Sequence, residues 1–128
     1  EMNTYINNPI PQQKTPQAPD TDKIAQSVFR TLNLGEPMTL EALKVMIKCA
    51  VLFDQKQHDY GSRNIAGWNY KNQNIFGVLV RLNDKIQRLA NLLEKKEQQV
   101  ESEKLSDTAQ DICNYGAILE LLITDRWT

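Results

Sequence analysis

Two neighbouring stretches decide the fold: "RLNDKIQRLANLL" at residues 81–93 and "ESEKLSDTAQDICNYGAILELL" at residues 101–122. In both, apolar residues recur at steps of three and four, which is the spacing of one side of an α-helix. Only a short polar segment separates them. The pattern predicts two long helices, over about residues 74–98 and from residue 102 or 106 to about residue 124, packed as an antiparallel hairpin.

The segment upstream of the hairpin shows the same helical period. One short helix is predicted over about residues 21–32, ended by Gly35 and Pro37, and a second follows an N-cap at Thr39. A long loop, "HDYGSRNIAGWNYKNQN" at residues 58–74, then leads into the hairpin. No stretch alternates convincingly between apolar and polar residues, so the predicted fold class is an all-α helical bundle built on the hairpin.

The first twenty residues differ from the rest in composition. The segment "EMNTYINNPIPQQKTPQAPD" holds four of the five prolines among Asn, Gln and Thr, with little apolar surface to offset the entropy of ordering. We predict a flexible Pro-rich arm over residues 1–20 and a single all-α domain over residues 21–128. The arm either stays disordered or packs on a neighbouring subunit through Tyr5 and Ile6.

Length and composition predict a soluble protein. The 128 residues carry a net charge of -1 from 15 basic and 16 acidic side chains, so neither nucleic acid nor an anionic membrane is an expected partner. No run approaches the ~18 apolar residues of a membrane span, and no secretory signal is recognised. Cys49 and Cys113 lie in apolar helical segments, which favours two buried thiols in a cytoplasmic protein over a disulfide.

A polar strip on the last predicted helix becomes aliphatic along its length. At about 100° per residue, Asp107, Asp111 and Asn114 share a narrow strip that continues through Ile118 and Leu121. A plain solvated face would stay polar, so this strip is expected to face protein. Buried carboxylates need cationic or hydrogen-bonding partners.

The preceding helix supplies the cations. Arg81, Lys85 and Arg88 form their own strip, with Asp84 beside them. If the hairpin turns near residue 100, Arg88 lies level with Asp111, which predicts an ion pair between them. One interpretation is therefore an internal polar network that fixes the register of the two helices.

The second interpretation is a nucleotide site. Glu103, Asp107 and Asp111 follow one another at steps of four and can present several oxygens to one hard cation. Mg²⁺ prefers oxygen ligands and commonly combines one or two carboxylates with substrate phosphates. The neighbouring basic side chains would then hold the phosphate oxygens. Composition alone does not separate this site from the structural network.

Three segments resemble a known family. "HDYG" at residues 58–61, "GVLVRLNDKIQRLANLL" at residues 77–93 and "ESEKLSDTAQDICNYGAIL" at residues 101–119 look like the phage and bacterial family called nucleotide modification associated domain 1. The resemblance covers residues 55–122 and implies a role in nucleotide handling. It adds loop and helix positions to the predicted nucleotide-binding set, which becomes Asp59, Tyr60, Arg81, Asp84, Lys85, Arg88, Asn114 and Tyr115.

The helical layout is also similar, more distantly, to the all-α nucleotide pyrophosphohydrolases of the MazG type. Those enzymes cleave nucleoside triphosphates with Mg²⁺ held by acidic residues on paired helices. Where they carry an E-E-x-x-E motif, this chain has "LEALKVMIK", with only Glu41. The resemblance therefore implies nucleotide binding and leaves open whether the protein is an enzyme.

Several functions remain open from the sequence. The protein is a Mg²⁺-dependent nucleotide hydrolase, a non-catalytic module that sequesters a nucleotide, or a helical interaction or inhibitor protein that binds another protein and has no nucleotide site. A homo-oligomer is expected, because the predicted helices leave one face of the hairpin short of cover.

Overall fold

The computed structural model describes residues 18–61, 71–95 and 102–127, and the regular structure in these ranges is α-helical throughout. The helices are α1 (Thr21–Thr31), α2 (Pro37–Tyr60), α3 (Lys71–Glu94) and α4 (Ser102–Ile123). The predicted all-α class is therefore confirmed. The predicted arm lies outside the described residues except for residues 18–20.

The ends of α1 and α2 follow local chemistry. Asp20 caps α1, since its side-chain oxygen Oδ1 accepts a hydrogen bond of 3.1 Å from the Lys23 N–H. The predicted N-cap of α2 at Thr39 is wrong, because the helix begins two residues earlier at Pro37. Proline suits the first turn, where its missing N–H removes no helical hydrogen bond.

The end of α2 also differs from the sequence prediction. His58, Asp59 and Tyr60 form the last turn of the helix instead of a loop, and Gly61 ends it with a φ of 71°. Glycine has no Cβ and adopts this left-handed conformation without steric strain. The Gly61 N–H donates to the Gln57 carbonyl oxygen at 2.9 Å and closes the turn. Residues 62–70, the middle of the predicted loop, lie outside the described residues.

The helices pack as two pairs joined through α4. Helix α3 packs along α4 as the predicted hairpin, α1 packs on α2, and α2 packs on α4. Beyond α4, the Arg126 N–H donates to the Leu121 carbonyl oxygen at 2.8 Å and closes the end of the helix. The Trp127 ring then meets Phe53 of α2 edge-on, with 6.1 Å between ring centroids. Helix α4 therefore packs against both α2 and α3.

Few apolar side chains are fully buried in the part of the chain that the structure describes. Among the described residues, the buried hydrophobic side chains are Ala25, Cys49, Val78 and Ile118, and large apolar side chains on α2 and α3 remain exposed. Several large apolar side chains of α3 are therefore left exposed by the described helices. No helix in the described ranges is both long and apolar enough to cross a membrane.

Candidate functional site

A pocket of about 160 Å³ lies where α2 and α3 approach α4. Its lining combines two lysines, one carboxylate, amides and aromatic rings. The lining residues are Phe53, Lys56, Gln57, Tyr60, Gly61, Lys85, Asp111, Asn114, Tyr115 and Ile118. The last two turns of α2, one residue of α3 and the middle of α4 thus share one cavity.

Asp111 is the electrostatic centre of this pocket. The Lys56 Nζ on α2 donates to Asp111 Oδ1 at 2.6 Å, and the Lys85 Nζ on α3 lies 3.1 Å from Asp111 Oδ2. The Asp111 side chain is only 16% exposed, whereas both lysines reach further into solvent. Two ammonium groups around one carboxylate leave these three side chains with a formal charge of +1, which favours an anionic ligand.

The two lysines control the charge state of Asp111. Burial alone would raise its pKa, but the hydrogen bonds from Lys56 and Lys85 outweigh that effect and hold the pKa of Asp111 below its ordinary value of 3.8. Asp111 is therefore ionised throughout the physiological range, and the ion pairs are present there.

Asn114 brings a hydrogen-bond donor without an acceptor. Its side-chain nitrogen Nδ2 is buried and has no partner among the described residues, although Asn114 lines the pocket. A buried donor that has lost water without gaining an acceptor is unfavourable by about 1–3 kcal/mol. An oxygen of a bound ligand would satisfy this donor, so the amide points to an occupant with acceptor atoms.

Aromatic side chains form the rest of the pocket wall. Tyr60, at the end of α2, is 67% exposed at the pocket margin, and Tyr115 and Phe53 line the interior. An exposed aromatic face stacks on a nucleobase with little preference for the base. The pocket therefore combines ammonium groups, a carboxylate, a side-chain amide and an aromatic surface.

Five residues of the predicted set meet in this pocket, and the others lie elsewhere. Tyr60, Lys85, Asp111, Asn114 and Tyr115 line it together. The remaining described members are exposed and lie outside its lining: Asp59, Arg81, Asp84, Arg88 and Asp107. Asp59 instead accepts a hydrogen bond from Gln55 at 3.2 Å, and Asp84 and Arg88 border a second, shallower groove along α3.

The predicted ion pair between Arg88 and Asp111 is wrong. Lys85, one turn earlier on α3, faces Asp111 in its place. The register of a hairpin depends on the exact position of its turn, and a shift of three residues on a helix brings the neighbouring turn to the same level. Arg88 lies outside the pocket lining and borders the α3 groove.

Sequence reasoning missed the contribution of α2. Lys56, Gln57 and Phe53 line the pocket, and Lys56 makes the shorter contact to Asp111. One signal was available: Lys56 lies four residues before Tyr60, so both share one side of a helix that extends to Tyr60. The prediction of a loop from residue 58 hid this relationship.

Of the predicted metal ligands, only Asp111 and Asp107 have described side chains, and Asp107 does not line the pocket with Asp111. Both carboxylate oxygens of Asp111 are engaged by lysine ammonium groups, whose charge repels a cation, and Asp107 lies exposed one turn away. The side chain of Glu103 lies outside the described residues. No three acidic, histidine or cysteine side chains in the described part of the chain are grouped to hold a metal ion. This arrangement does not fit Mg²⁺ bound directly by Asp111.

The two cysteines are free, and they differ in exposure. Cys49 is buried as predicted, whereas the prediction that Cys113 is buried is wrong. Cys113 lies about 140° around α4 from the buried Ile118, and its side chain remains exposed although its thiol neighbours that of Cys49. Burial, followed by the neighbouring Cys113 thiol, raises the pKa of Cys49 to about 11.

We expect the two thiols to react with iodoacetamide at very different rates. At pH 8 a thiol with the pKa of Cys49 is ionised to only about one part in a thousand, and burial also limits access to it. Mass spectrometry of the alkylated protein should find Cys113 modified first and Cys49 modified mainly in denaturant. Equal rates in the folded protein would contradict the burial of Cys49.

One family shares the sequence pattern of this region. The family described as nucleotide modification associated domain 1 matches residues 56–123 of the chain. The match begins at Lys56, ends with α4 and spans the three segments that carry the resemblance seen in the sequence. No curated protein and no solved structure matches the chain. The matched range holds nearly all of the pocket lining.

Proposed function

The chain belongs to the nucleotide modification associated domain 1 family, and on this basis we propose that the pocket around Asp111 binds a phosphate group of a nucleotide. The convergence of Lys56 and Lys85 on one carboxylate is the observation that supports the proposal most directly. Ammonium groups from two different helices provide strong, charge-assisted donors for phosphate oxygens. The family name by itself extends only to an association with nucleotide modification.

The phosphate would bind beside Asp111 without replacing it completely. Lys56 and Lys85 are part-exposed, so each can turn an N–H toward an entering oxygen in competition with the Asp111 carboxylate. The buried Asn114 Nδ2 supplies a neutral donor to the same oxygens. Three donors from α2, α3 and α4 thus converge on one anion.

The pocket volume limits which part of a nucleotide enters. A cavity of about 160 Å³ is smaller than the roughly 300–1,000 Å³ of sites that enclose a whole drug-sized ligand. The phosphate therefore occupies the pocket, and the sugar and base extend past its margin. Tyr60, exposed at that margin, offers its ring to the base.

Binding rather than hydrolysis fits the arrangement of charges. A hydrolase of the Mg²⁺-dependent type needs carboxylate oxygens for the metal, and those of Asp111 are engaged by lysines. A nucleoside triphosphate can carry Mg²⁺ on its own phosphate oxygens, which requires no ligand from Asp111. We therefore propose a module that binds a nucleotide and releases it chemically unchanged.

Calorimetric titration with nucleosides, nucleotides and inorganic phosphate tests the proposal. Lys56→Gln is expected to weaken nucleotide binding about tenfold, the equivalent of one charge-assisted hydrogen bond at a part-exposed site. Lys48→Gln is the matched control, because it removes the same charge from an exposed position of α2 outside the pocket lining. The control should bind like the unchanged protein.

Three results would count against this function. If nucleosides bind as tightly as nucleotides, the protein does not recognise the phosphate. If Lys56→Gln and Lys48→Gln weaken binding equally, the effect comes from the overall charge of the protein and not from the pocket. Absence of binding to any nucleotide would leave the ion pairs as a structural network. Chromatography of the nucleotide after incubation with Mg²⁺ separates binding from hydrolysis, since a product peak contradicts a non-catalytic module.

A further inference from the structure

An exposed apolar row runs along α3 on the side away from the pocket. Leu79, Ile86 and Leu93 follow at steps of seven residues, and their side chains are 43%, 47% and 66% exposed. They lie about 80–120° around α3 from Lys85, on the other side of the fully buried Val78. The row is therefore separate from the pocket and is left open by the described helices.

Helix α4 carries a matching row of smaller side chains. Ala109, Gly116 and Ile123 also follow at steps of seven residues, and all three are exposed. They lie about 140–180° around α4 from Ile118, which faces the pocket. A Cβ placed on Gly116 would meet nothing within 4 Å, so the space beside this position is open, and its small neighbours leave a shallow depression between larger side chains.

The two rows belong to one continuous pattern, which we call the heptad face. On α3, steps of four and three connect Ile75, Leu79, Leu82, Ile86, Leu89 and Leu93. On α4, the same steps connect Leu105, Ala109, Ile112, Gly116, Leu119 and Ile123. This is the spacing with which helices pack side chains into the holes of a facing helix. None of the twelve side chains carries a charge.

We propose that the heptad face binds the same face of a second copy of this chain, forming a four-helix bundle across a two-fold axis. A two-fold interface must be complementary to itself. The heptad face meets this requirement, because the large row of Leu79, Ile86 and Leu93 can fill the depression that Ala109 and Gly116 leave on α4 of the partner. The twelve positions of the face are uncharged, which favours an apolar partner surface such as the same face of a second copy.

The area of the face reaches the lower limit for a biological dimer. From Ile75 to Leu93 the face is about 27 Å long at 1.5 Å per residue, and two helices of about 10 Å make it roughly 20 Å wide. Each copy therefore contributes about 500 Å², and the pair about 1,000 Å², which reaches the lower limit for a biological interface. Few apolar side chains are buried within the described part of one chain, so association of two copies would bury additional apolar surface.

Sedimentation equilibrium with Gly116→Leu, Gly77→Leu and the unchanged protein tests the proposal. Gly116→Leu fills the depression on the heptad face, whereas Gly77 lies on α3 about 180° from Ile86, also with nothing within 4 Å of a Cβ. Both substitutions replace a helical glycine by a better helix former, so both should maintain or raise the melting temperature. The unchanged protein and Gly77→Leu should be dimers, and Gly116→Leu should dissociate at least about tenfold more readily.

The outcomes separate this proposal from the function of the pocket. If the unchanged protein is a monomer at every concentration, the proposal is wrong. The same result is expected if residues 1–17 of the same chain occupy the face. A dimer that tolerates Gly116→Leu as well as Gly77→Leu overturns it too. Nucleotide binding by Gly116→Leu should equal that of the unchanged protein, because the pocket lies on the opposite side of α4.

Discussion

Ile118→Ala is expected to lower the free energy of unfolding by about 3 kcal/mol, within the usual range for truncating a buried isoleucine. Ile118 is 7% exposed and is one of the few buried hydrophobic side chains in the described residues. It also lines the pocket where α2 packs on α4. The cavity that alanine leaves would therefore loosen the contact that positions Lys56 against Asp111.

Urea denaturation followed by circular dichroism measures this effect, and Ile24→Ala provides the comparison. Ile24 on α1 is 44% exposed, so the same truncation there should destabilise by under about 1 kcal/mol. Similar losses for the two variants would show that Ile118 does not lie in a core. A loss at Ile118 together with weaker nucleotide binding is the expected combination.

Asp111→Asn is expected to destabilise the protein by about 2 kcal/mol at neutral pH. Removing one partner of a fully buried ion pair costs about 3–5 kcal/mol, and the lysines here are part-exposed, which reduces the effect. Asp107→Asn, an exposed position one turn away, removes the same charge and should change stability by less than about 0.5 kcal/mol.

The same substitution should remove an acid-dependent part of stability. The folded pKa of Asp111 is below its ordinary value of 3.8, so its contribution is complete above that value and is lost as the pH falls through the folded pKa. The difference in unfolding free energy between the unchanged protein and Asp111→Asn should be constant near neutrality and shrink below about pH 4. A difference that grows in acid would contradict the ion pairs.

Asp111→Asn also distinguishes phosphate binding from metal binding by the sign of its effect. Without the competing carboxylate, Lys56 and Lys85 should bind a nucleotide phosphate more tightly in a calorimetric titration. If Asp111 held a metal ion, the same change would weaken Mg²⁺-dependent binding. Affinity that falls only in the presence of Mg²⁺ would therefore replace the proposed phosphate site by a metal site.

Sequence periodicity predicted the helices but only part of the site. The three- and four-residue spacing placed α3 and α4 correctly as a hairpin and showed that Asp111 and Asn114 share a strip with Ile118. It did not indicate where a third helix crosses that strip. Helix α2 covers α4 near Asp111 and Ile118, so Asp111 is largely enclosed while Asp107 remains exposed.

The choice between Arg88 and Lys85 shows a second limit of sequence reasoning. Both residues lie on the same strip of α3, and the sequence gives their direction but not the register of the hairpin. Lys56 was missed for a related reason, because its contact with Asp111 joins residues 55 positions apart. Contacts between distant segments depend on tertiary packing, which a local period does not encode.

The pair of salt bridges that Asp111 makes with Lys56 and Lys85 connects three helices. It ties α2 and α3, which belong to different helical pairs, to a single position on α4. A bound phosphate would draw on the same ammonium groups, so ligand occupancy and the tie between the pairs are thermodynamically linked. If a phosphate binds there, its occupancy is expected to change the protection of α2 amides from hydrogen exchange.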